Sequence, residues 1–340
     1  MSLQTLWFVL WGVLWAVYFA LDGFDLGAGM LYGFLGRDEA GKAAIRRSIG
    51  PVWDGNEVWL IAAGGATFAA FPAAYAALFS FLYTPLLIIL FALIFRGAAL
   101  ELRAKGEGAR WARSWDAVLA VASFLPALLF GVAFGNLFRG LPIDASGYQG
   151  NLLSLLNPYG ILTGLLFVLL FVHHGALWIA LKTSGGLSER ARKTAAGLWS
   201  YLLITAAGFL VSTYFSTGLA RNYLQHPILI AVPLLAVAAL VGTRILAVKG
   251  RAGGAFLASG ATILLVTATG LVGLYPFLIP SRLDLAASLT IRNASSSEGT
   301  LKIMAVVALV FVPIVIGYQI WVYRVFRAKE DPAAGPGTGY

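Results

Sequence analysis

The sequence contains no cysteine, and only 11% of its 340 residues are charged. The absence of cysteine excludes disulfides, zinc–thiolate sites and cysteine-ligated iron–sulfur clusters. A soluble domain carries about 25% charged residues, so this chain has too few charges to cover a water-soluble surface. Hydrophobic residues make up 59% of the chain, and the mean hydropathy is +0.83. The composition indicates an integral membrane protein.

The net charge of +9 does not indicate a nucleic-acid partner. The basic residues lie in short connectors between apolar runs, where they set the orientation of membrane helices. No lysine or arginine precedes Arg37, and the first apolar run is longer than the core of a signal peptide. We therefore expect this run to be retained as a membrane span.

Apolar runs of about 20 residues, the length of a membrane-spanning helix, predict an all-α polytopic protein with nine spans. They lie near residues 5–35, 52–71, 75–101, 115–138, 159–181, 197–219, 227–248, 254–279 and 302–326. Pro72 favours a tight turn between the second and third spans. We expect a single membrane domain over residues 1–330 and a flexible cytoplasmic tail, rich in glycine and proline, over residues 331–340.

The distribution of lysine and arginine predicts the orientation of the chain. With the amino terminus outside, the outer segments hold few of the 24 basic residues, namely Arg139, Arg221, Arg282, Arg292 and Lys302. The remainder fall in the inner segments, as the positive-inside rule requires. This alternation predicts a cytoplasmic carboxyl terminus.

Four acidic residues lie within predicted spans: Asp22 and Asp25 in the first, and Asp54 and Glu57 at the start of the second. Each pair is spaced i, i+3 and shares a helix face. Both pairs fall in the predicted cytoplasmic half of the bilayer, so neighbouring helices would bring four carboxylates together. An aspartate at mid-membrane costs about 2.5–3.5 kcal/mol. Such a cluster is typical of a proton relay, although helix capping, arginine pairing or subunit packing would also explain it.

Two segments that contain these acids resemble subunit II of cytochrome bd-type quinol oxidases. They are Leu21-Asp-Gly-Phe-Asp-Leu-Gly-Ala-Gly-Met-Leu31 and Trp53-Asp-Gly-Asn-Glu-Val-Trp-Leu60. The similarity continues in family order through residues 131–136, 156–160, 275–277 and 288–297. These segments extend over nearly the whole chain.

The resemblance implies a nine-helix subunit of the bacterial inner membrane that pairs with a homologous subunit I. The complex would oxidise quinol and reduce dioxygen to water, with haem b and haem d ligated mainly by subunit I. Asp22, Asp25 and Asp54 match family acids, and Asp25 and Asp54 are the strongest candidates for a cytoplasmic proton path. Glu57 falls where relatives vary between glutamate and glutamine, which argues against an obligatory role for its proton. The sequence leaves open whether small accessory subunits or a quinone bind this chain.

Few residues of this chain could ligate a haem iron. His173 and His174 are adjacent on the fifth span, point about 100° apart and cannot ligate one metal together. We expect both to be satisfied core residues or contacts to buried water or a quinone. Arg96, near the inner end of the third span, could pair with the acids, contact a haem propionate across the subunit interface, or reach lipid headgroups.

A stand-alone proton-coupled secondary transporter is the alternative function, because intramembrane acids and glycine-rich helices suit it equally well. Such transporters carry interrupted half-helices in corresponding positions of two repeats. The sequence has no such pair, which favours the oxidase subunit.

Overall fold

The computed structural model describes residues 2–332 and is a bundle of long helices. The first six helices are α1 Leu3–Leu35, α2 Glu39–Ile49, α3 Trp53–Ala70, α4 Pro72–Phe81, α5 Tyr83–Leu102 and α6 Ala109–Arg139. The other six are α7 Pro158–Lys182, α8 Gly185–Ser216, α9 Ala220–Gln225, α10 Ala231–Val248, α11 Ala252–Leu274 and α12 Glu298–Val325. Of the predicted tail, residues 333–340 lie outside the described residues.

Eight of the described helices are long and apolar enough to cross a membrane. They are α1, α5, α6, α7, α8, α10 with the 3₁₀ turn before it, α11 and α12. The predicted second span, α3, is not among them, since polar residues in its first turns lower its hydropathy. The all-α membrane architecture is confirmed, whereas the count of nine stays a prediction.

The predicted third span, 75–101, is not one helix. The structure divides it into α4 and α5, with Leu82 between them. Pro85 has no backbone N–H with which to bond the carbonyl of Phe81, so the chain bends at this point. Pro72 begins α4, as its fixed φ favours at a first helical position.

The predicted eighth span, 254–279, is too long at its carboxyl end. The helix α11 ends at Leu274, ahead of Pro276. Residues Phe277–Ile279 instead form strand β3, which pairs antiparallel with β4, Leu289–Thr290. Proline disfavours helix in the residue before it, which accounts for the early end.

The first helix lies at the centre of the bundle and packs closely on α7. A Cβ on Gly27 would lie 1.9 Å from the carbonyl oxygen of Phe171, and one on Gly175 would lie 2.4 Å from the amide of Ala28. Only glycine permits this approach, because any side chain would overlap backbone atoms. The contact holds the acidic turn of α1 at a fixed position against the rest of the bundle.

One end of the bundle, called here the basic end, consists of α2, residues 103–108 and residues 326–330. Arg103 donates to Asp116 at 2.9 Å and to Glu39 at 2.6 Å, and thereby joins α5, α6 and α2. Burial by itself lowers the pKa of Arg103, but the hydrogen bonds to Asp116 and Glu39 help to raise it above its ordinary value. The basic end is the end that the charge distribution predicts to be cytoplasmic.

The opposite end is closed by the two longest connectors, residues 140–157 and 275–297. The first contains a short hairpin of β1, Ile143–Asp144, and β2, Gly147–Tyr148. Leu141 donates its amide to the carbonyl of Pro280 at 2.9 Å, so the two connectors pack together. Ser296 bonds the last turn of α3, which therefore runs from the basic end to this one.

Candidate functional site

Three of the four predicted acids lie in a buried polar cluster between α1, α3 and α5. Arg96, which is 1% exposed, enters the cluster from α5. Its Nη1 lies 2.7 Å from Asp22 Oδ1, and its Nη2 donates to Glu57 Oε1 at 2.5 Å. One guanidinium group therefore bridges carboxylates of two helices. Of the roles considered for Arg96, the structure shows pairing with the acids, and burial excludes contact with lipid headgroups.

Asp25 lies in the same region and is held by Asn56 of α3. The Asn56 side chain donates from Nδ2 to Asp25 Oδ2 at 2.7 Å. Its Oδ1 accepts from Gln319 Nε2 at 3.0 Å and from Tyr323 OH at 2.9 Å, both on α12. The other oxygen of Asp25, Oδ1, is buried and has no hydrogen-bond partner among the described residues.

Asp54 does not join the cluster. It lies on the first turn of α3 and is exposed, one turn nearer the basic end than Glu57. A carboxylate at this position is favoured by the partial positive charge of the helix amino terminus. The structure thus brings together Asp22, Asp25 and Glu57 but leaves Asp54 on an outward face.

Sequence reasoning missed the three neutral members of the cluster, Asn56, Gln319 and Tyr323. Asn56 lies in the segment that carries the family resemblance, next to the flagged acids. Gln319 and Tyr323 are one turn apart on α12 and reach Asn56 across more than 260 residues of sequence. In the sequence, the spacing i, i+4 of Gln319 and Tyr323 in an apolar helix is the feature that could have indicated their place in the cluster.

The two adjacent histidines are packed by this chain's own groups. His174 donates from Nε2 to the carbonyl oxygen of Ala20 at 3.1 Å, and its ring stacks on Phe256 with centroids 4.4 Å apart. His173 Nδ1 lies 3.4 Å from the hydroxyl of Ser259. Haem ligation requires a free ring nitrogen with space for the macrocycle. His174 Nδ1 has no hydrogen-bond partner among the described residues, but His173 and His174 are only 3% and 1% exposed, so neither ring has the space that a haem needs.

The chain is similar along nearly its whole length to a known family of membrane proteins. The family model described as cytochrome bd terminal oxidase subunit II matches residues 3–326. The cytochrome bd ubiquinol oxidase subunit 2 of Bacillus subtilis is 39% identical over 331 residues, which cover 96% of this chain and 97% of that protein. The cytochrome bd-I ubiquinol oxidase subunit 2 of Escherichia coli K12 is 38% identical, with 97% of this chain and 96% of that protein covered.

A solved structure of the bd oxidase from Geobacillus thermodenitrificans shares the fold. Its TM-score is 0.78 at 18% sequence identity, and the match covers 96% of this chain and 99% of that chain. None of these similarities favours a transporter. Oxidases of this family carry haems, and a subunit 2 implies a complex with a subunit 1 partner in the bacterial inner membrane. The chain therefore belongs to the subunit II family of cytochrome bd-type terminal oxidases.

Proposed function

We propose that this chain supplies a proton path to a quinol-oxidising, dioxygen-reducing complex. The observation that supports this most directly is the side chain of Asp25, which is 1% exposed and has one oxygen without a hydrogen-bond partner in residues 2–332. A carboxyl group that is buried in a membrane protein and incompletely bonded is suited to gain and release a proton. Reduction of dioxygen to water consumes protons, so the complex needs such a group on the side from which protons come.

The proposed path uses Asp25 as its central acid and Asp22 as a neighbour held by Arg96. The arginine stabilises the charged form of Asp22, whereas Asp25 is bonded only through the neutral amide of Asn56. The two carboxyl groups therefore differ in what holds them, and Asp25 is the one whose charge changes. Asp54 is proposed to act from the exposed face of α3, where a partner subunit would meet it.

The partner is proposed to be the homologous subunit I, with quinol and dioxygen as the substrates of the complex. Haem b and haem d, when bound, supply electron transfer and dioxygen reduction. Since the packing of His173 and His174 does not fit a haem, the haems are assigned to the partner. The residues of this chain hold and move protons near them.

The test is substitution of Asp25→Asn in the whole complex, purified through a tag on this chain. Asparagine keeps the shape and can still accept the bond from Asn56, but it cannot carry a proton. Positioned proton-transfer groups contribute roughly 10²–10⁴-fold to rate, so oxygen consumption should fall about tenfold or more. Asp54→Asn should also slow it, and the haem spectrum should be unchanged in both variants.

The control is Glu189→Gln, an exposed residue of α8 whose ion-pair partner is Lys193, on the same helix. It should leave both rate and haem content unchanged. Loss of haem in Asp25→Asn would show a structural role instead. A normal rate with normal haem would rule out Asp25 as a proton carrier.

A further inference from the structure

A second feature of the basic end bears on how protons reach Asp25. A cavity of about 110 Å³ lies between the end of α2, the end of α7 and the last turn of α12. Its lining includes Arg47, Ser48, Trp178, Tyr323, Phe326 and Glu330. One water molecule needs at least about 10–15 Å³ of such space, so the cavity can hold more than one. Charged and hydroxyl groups in the lining give such waters partners.

The outer wall of this cavity is the chain segment that follows α12. Lys182, the last residue of α7, donates from Nζ to the carbonyl oxygens of Phe326 and Ala328. The amide of Glu330 donates to the carbonyl of Lys182 at 2.7 Å, and the carbonyl of Glu330 accepts from Ser184 at 3.1 Å. These bonds hold the segment against the bundle, where it forms the outer wall of the cavity.

A charged pair lies at the rim of the cavity. Arg47 of α2 donates from Nε to Glu330 Oε2 at 2.8 Å. The side chain of Glu330 is 28% exposed, so it contacts both the cavity and the water outside. A carboxylate in this position can take protons from bulk water.

The inner end of the cavity reaches the cluster that contains Asp25. Tyr323 lines the cavity and donates from its hydroxyl to Asn56 Oδ1 at 2.9 Å. Asn56 in turn donates to Asp25 Oδ2 at 2.7 Å. The tyrosine hydroxyl and the aspartate carboxyl thus bond to one amide group, which links the lining of the cavity to Asp25.

We propose that this cavity is the entrance through which protons reach Asp25, with Glu330 as the collecting carboxylate and Tyr323 as the inner hydroxyl. This inference rests on the proposed function, because it assumes that Asp25 carries protons. It adds a route and two residues that the acidic cluster alone does not indicate.

The proposed transfer moves one proton and leaves each carrier unchanged. Glu330 takes a proton from water outside and gives it to water in the cavity. Tyr323 accepts that proton at its oxygen and releases its own hydroxyl proton to a water molecule beside Asn56. That water gives one of its other protons to Asp25 Oδ1, which has no hydrogen-bond partner among the described residues. Asn56 holds the two groups side by side and carries no proton itself.

A second cavity at the basic end provides a matched control. It measures about 250 Å³ and is lined by Arg46, Trp53, Glu101 and Lys105 among others. Its carboxylate, Glu101, is 52% exposed and lies 4.0 Å from Lys105. Within residues 2–332, no hydrogen bond joins the lining of this cavity to Asp25. It is larger than the first cavity but lacks the hydrogen-bonded link to Asp25.

The test compares Glu330→Gln, Tyr323→Phe and Glu101→Gln in the purified complex, with Asp25→Asn as reference. Oxygen consumption is measured from pH 6 to pH 9, and haem content is checked by the visible spectrum. Glu330→Gln should slow the reaction several-fold, increasingly as pH rises, because a collecting carboxylate matters most when protons are scarce. Tyr323→Phe should slow it at every pH, and Glu101→Gln should match the unsubstituted complex.

Glu330→Asp separates proton collection from fixation of the segment, because it retains a carboxylate and should restore most of the rate and the pH profile. Normal rates in Glu330→Gln and Tyr323→Phe, with Asp25→Asn slow, would overturn the entrance and leave the proposed function standing. A slow Glu101→Gln with a normal Glu330→Gln would overturn it in favour of the second cavity. A normal rate in Asp25→Asn would overturn the proposed function itself.

Discussion

Arg96 explains at the scale of single residues how two carboxylates persist inside the bundle. A buried charge without a partner is costly, whereas a bridged one is tolerated. Arg96 meets Asp22 on α1 and Glu57 on α3 with separate nitrogens. The arginine is therefore a structural requirement of the site, and Asp25 is the acid of the buried cluster that remains for proton transfer.

Because Arg96 bridges two carboxylates, we expect a large loss of stability in Arg96→Gln. Removal of one partner from a buried pair costs about 3–5 kcal/mol, because the remaining charge is left uncompensated. The melting temperature of the purified complex should fall, and addition of Asp22→Asn should recover part of the loss. Lys302→Gln, which breaks the exposed pair with Glu298, is the control and should leave the melting temperature nearly unchanged. An Arg96→Gln complex that melts like the unsubstituted one would refute the bridge.

The acids of the site were predictable from sequence because charge is rare inside a membrane. Asp22 and Asp25 stand out in an otherwise apolar run. Asn56 and Tyr323 were not predictable, since neutral polar residues are common in membrane helices and their pairing depends on tertiary contact. Asp54 was placed wrongly with the others, because spacing along α3 says nothing about which side of the helix is covered.

At the scale of elements, the contact between α1 and α7 fixes the position of the acidic turn. Gly27 and Gly175 let the two backbones touch within a distance that excludes any Cβ. Helix association in membranes depends on such packing, because lipid provides no hydrophobic drive between helices. The site therefore depends on two glycines that take no part in its chemistry.

Gly175→Ala should consequently weaken the complex. Its methyl group would lie 2.4 Å from backbone atoms of α1, and overpacking of this kind costs about 1–3 kcal/mol or more. Gly208→Ala on α8, where a Cβ meets nothing within 4 Å, is the matched control and should be neutral. Melting temperatures and yields of the two variants make the comparison. Equal values for both would contradict the close contact.

The helices themselves were predicted well where hydropathy alone defines them. Spans 5–35 and 159–181 differ by two residues or fewer at each end from α1 and α7. Two errors lie where local backbone chemistry interrupts an apolar run, at Leu82 before Pro85 and at Leu274 before Pro276. Two others lie at polar first turns, since α6 begins at Ala109 and α8 at Gly185, ahead of the predicted starts at 115 and 197. Hydropathy records the length of the apolar run but not the hydrogen bonds that a proline removes.

At the scale of the whole molecule, the two ends of the bundle have different chemistry. The basic end holds α2, the charged network around Arg103 and the proposed proton entrance. The opposite end is closed by two paired connectors with short strands. Protons can enter from the cytoplasm by the proposed path only if the basic end faces the cytoplasm. The proposal therefore depends on the predicted orientation.

Single cysteines test this orientation without background, because the chain contains none. Ser146→Cys and Ala73→Cys should react with an impermeant maleimide in intact cells, and Lys105→Cys only after permeabilisation. All three positions are exposed. The Ala73 result also decides whether α3 crosses the membrane. Labelling of Lys105→Cys in intact cells would show that the orientation is the reverse of the predicted one.

The most direct test of the central claim is the rate of proton uptake. The fully reduced complex is mixed with dioxygen in weakly buffered solution, and a pH-indicator dye reports the protons taken up. The account predicts that Asp25→Asn takes up protons about tenfold more slowly or worse while its haem spectrum stays unchanged. Uptake at the unsubstituted rate in Asp25→Asn would show that the protons reach dioxygen without this chain's central acid.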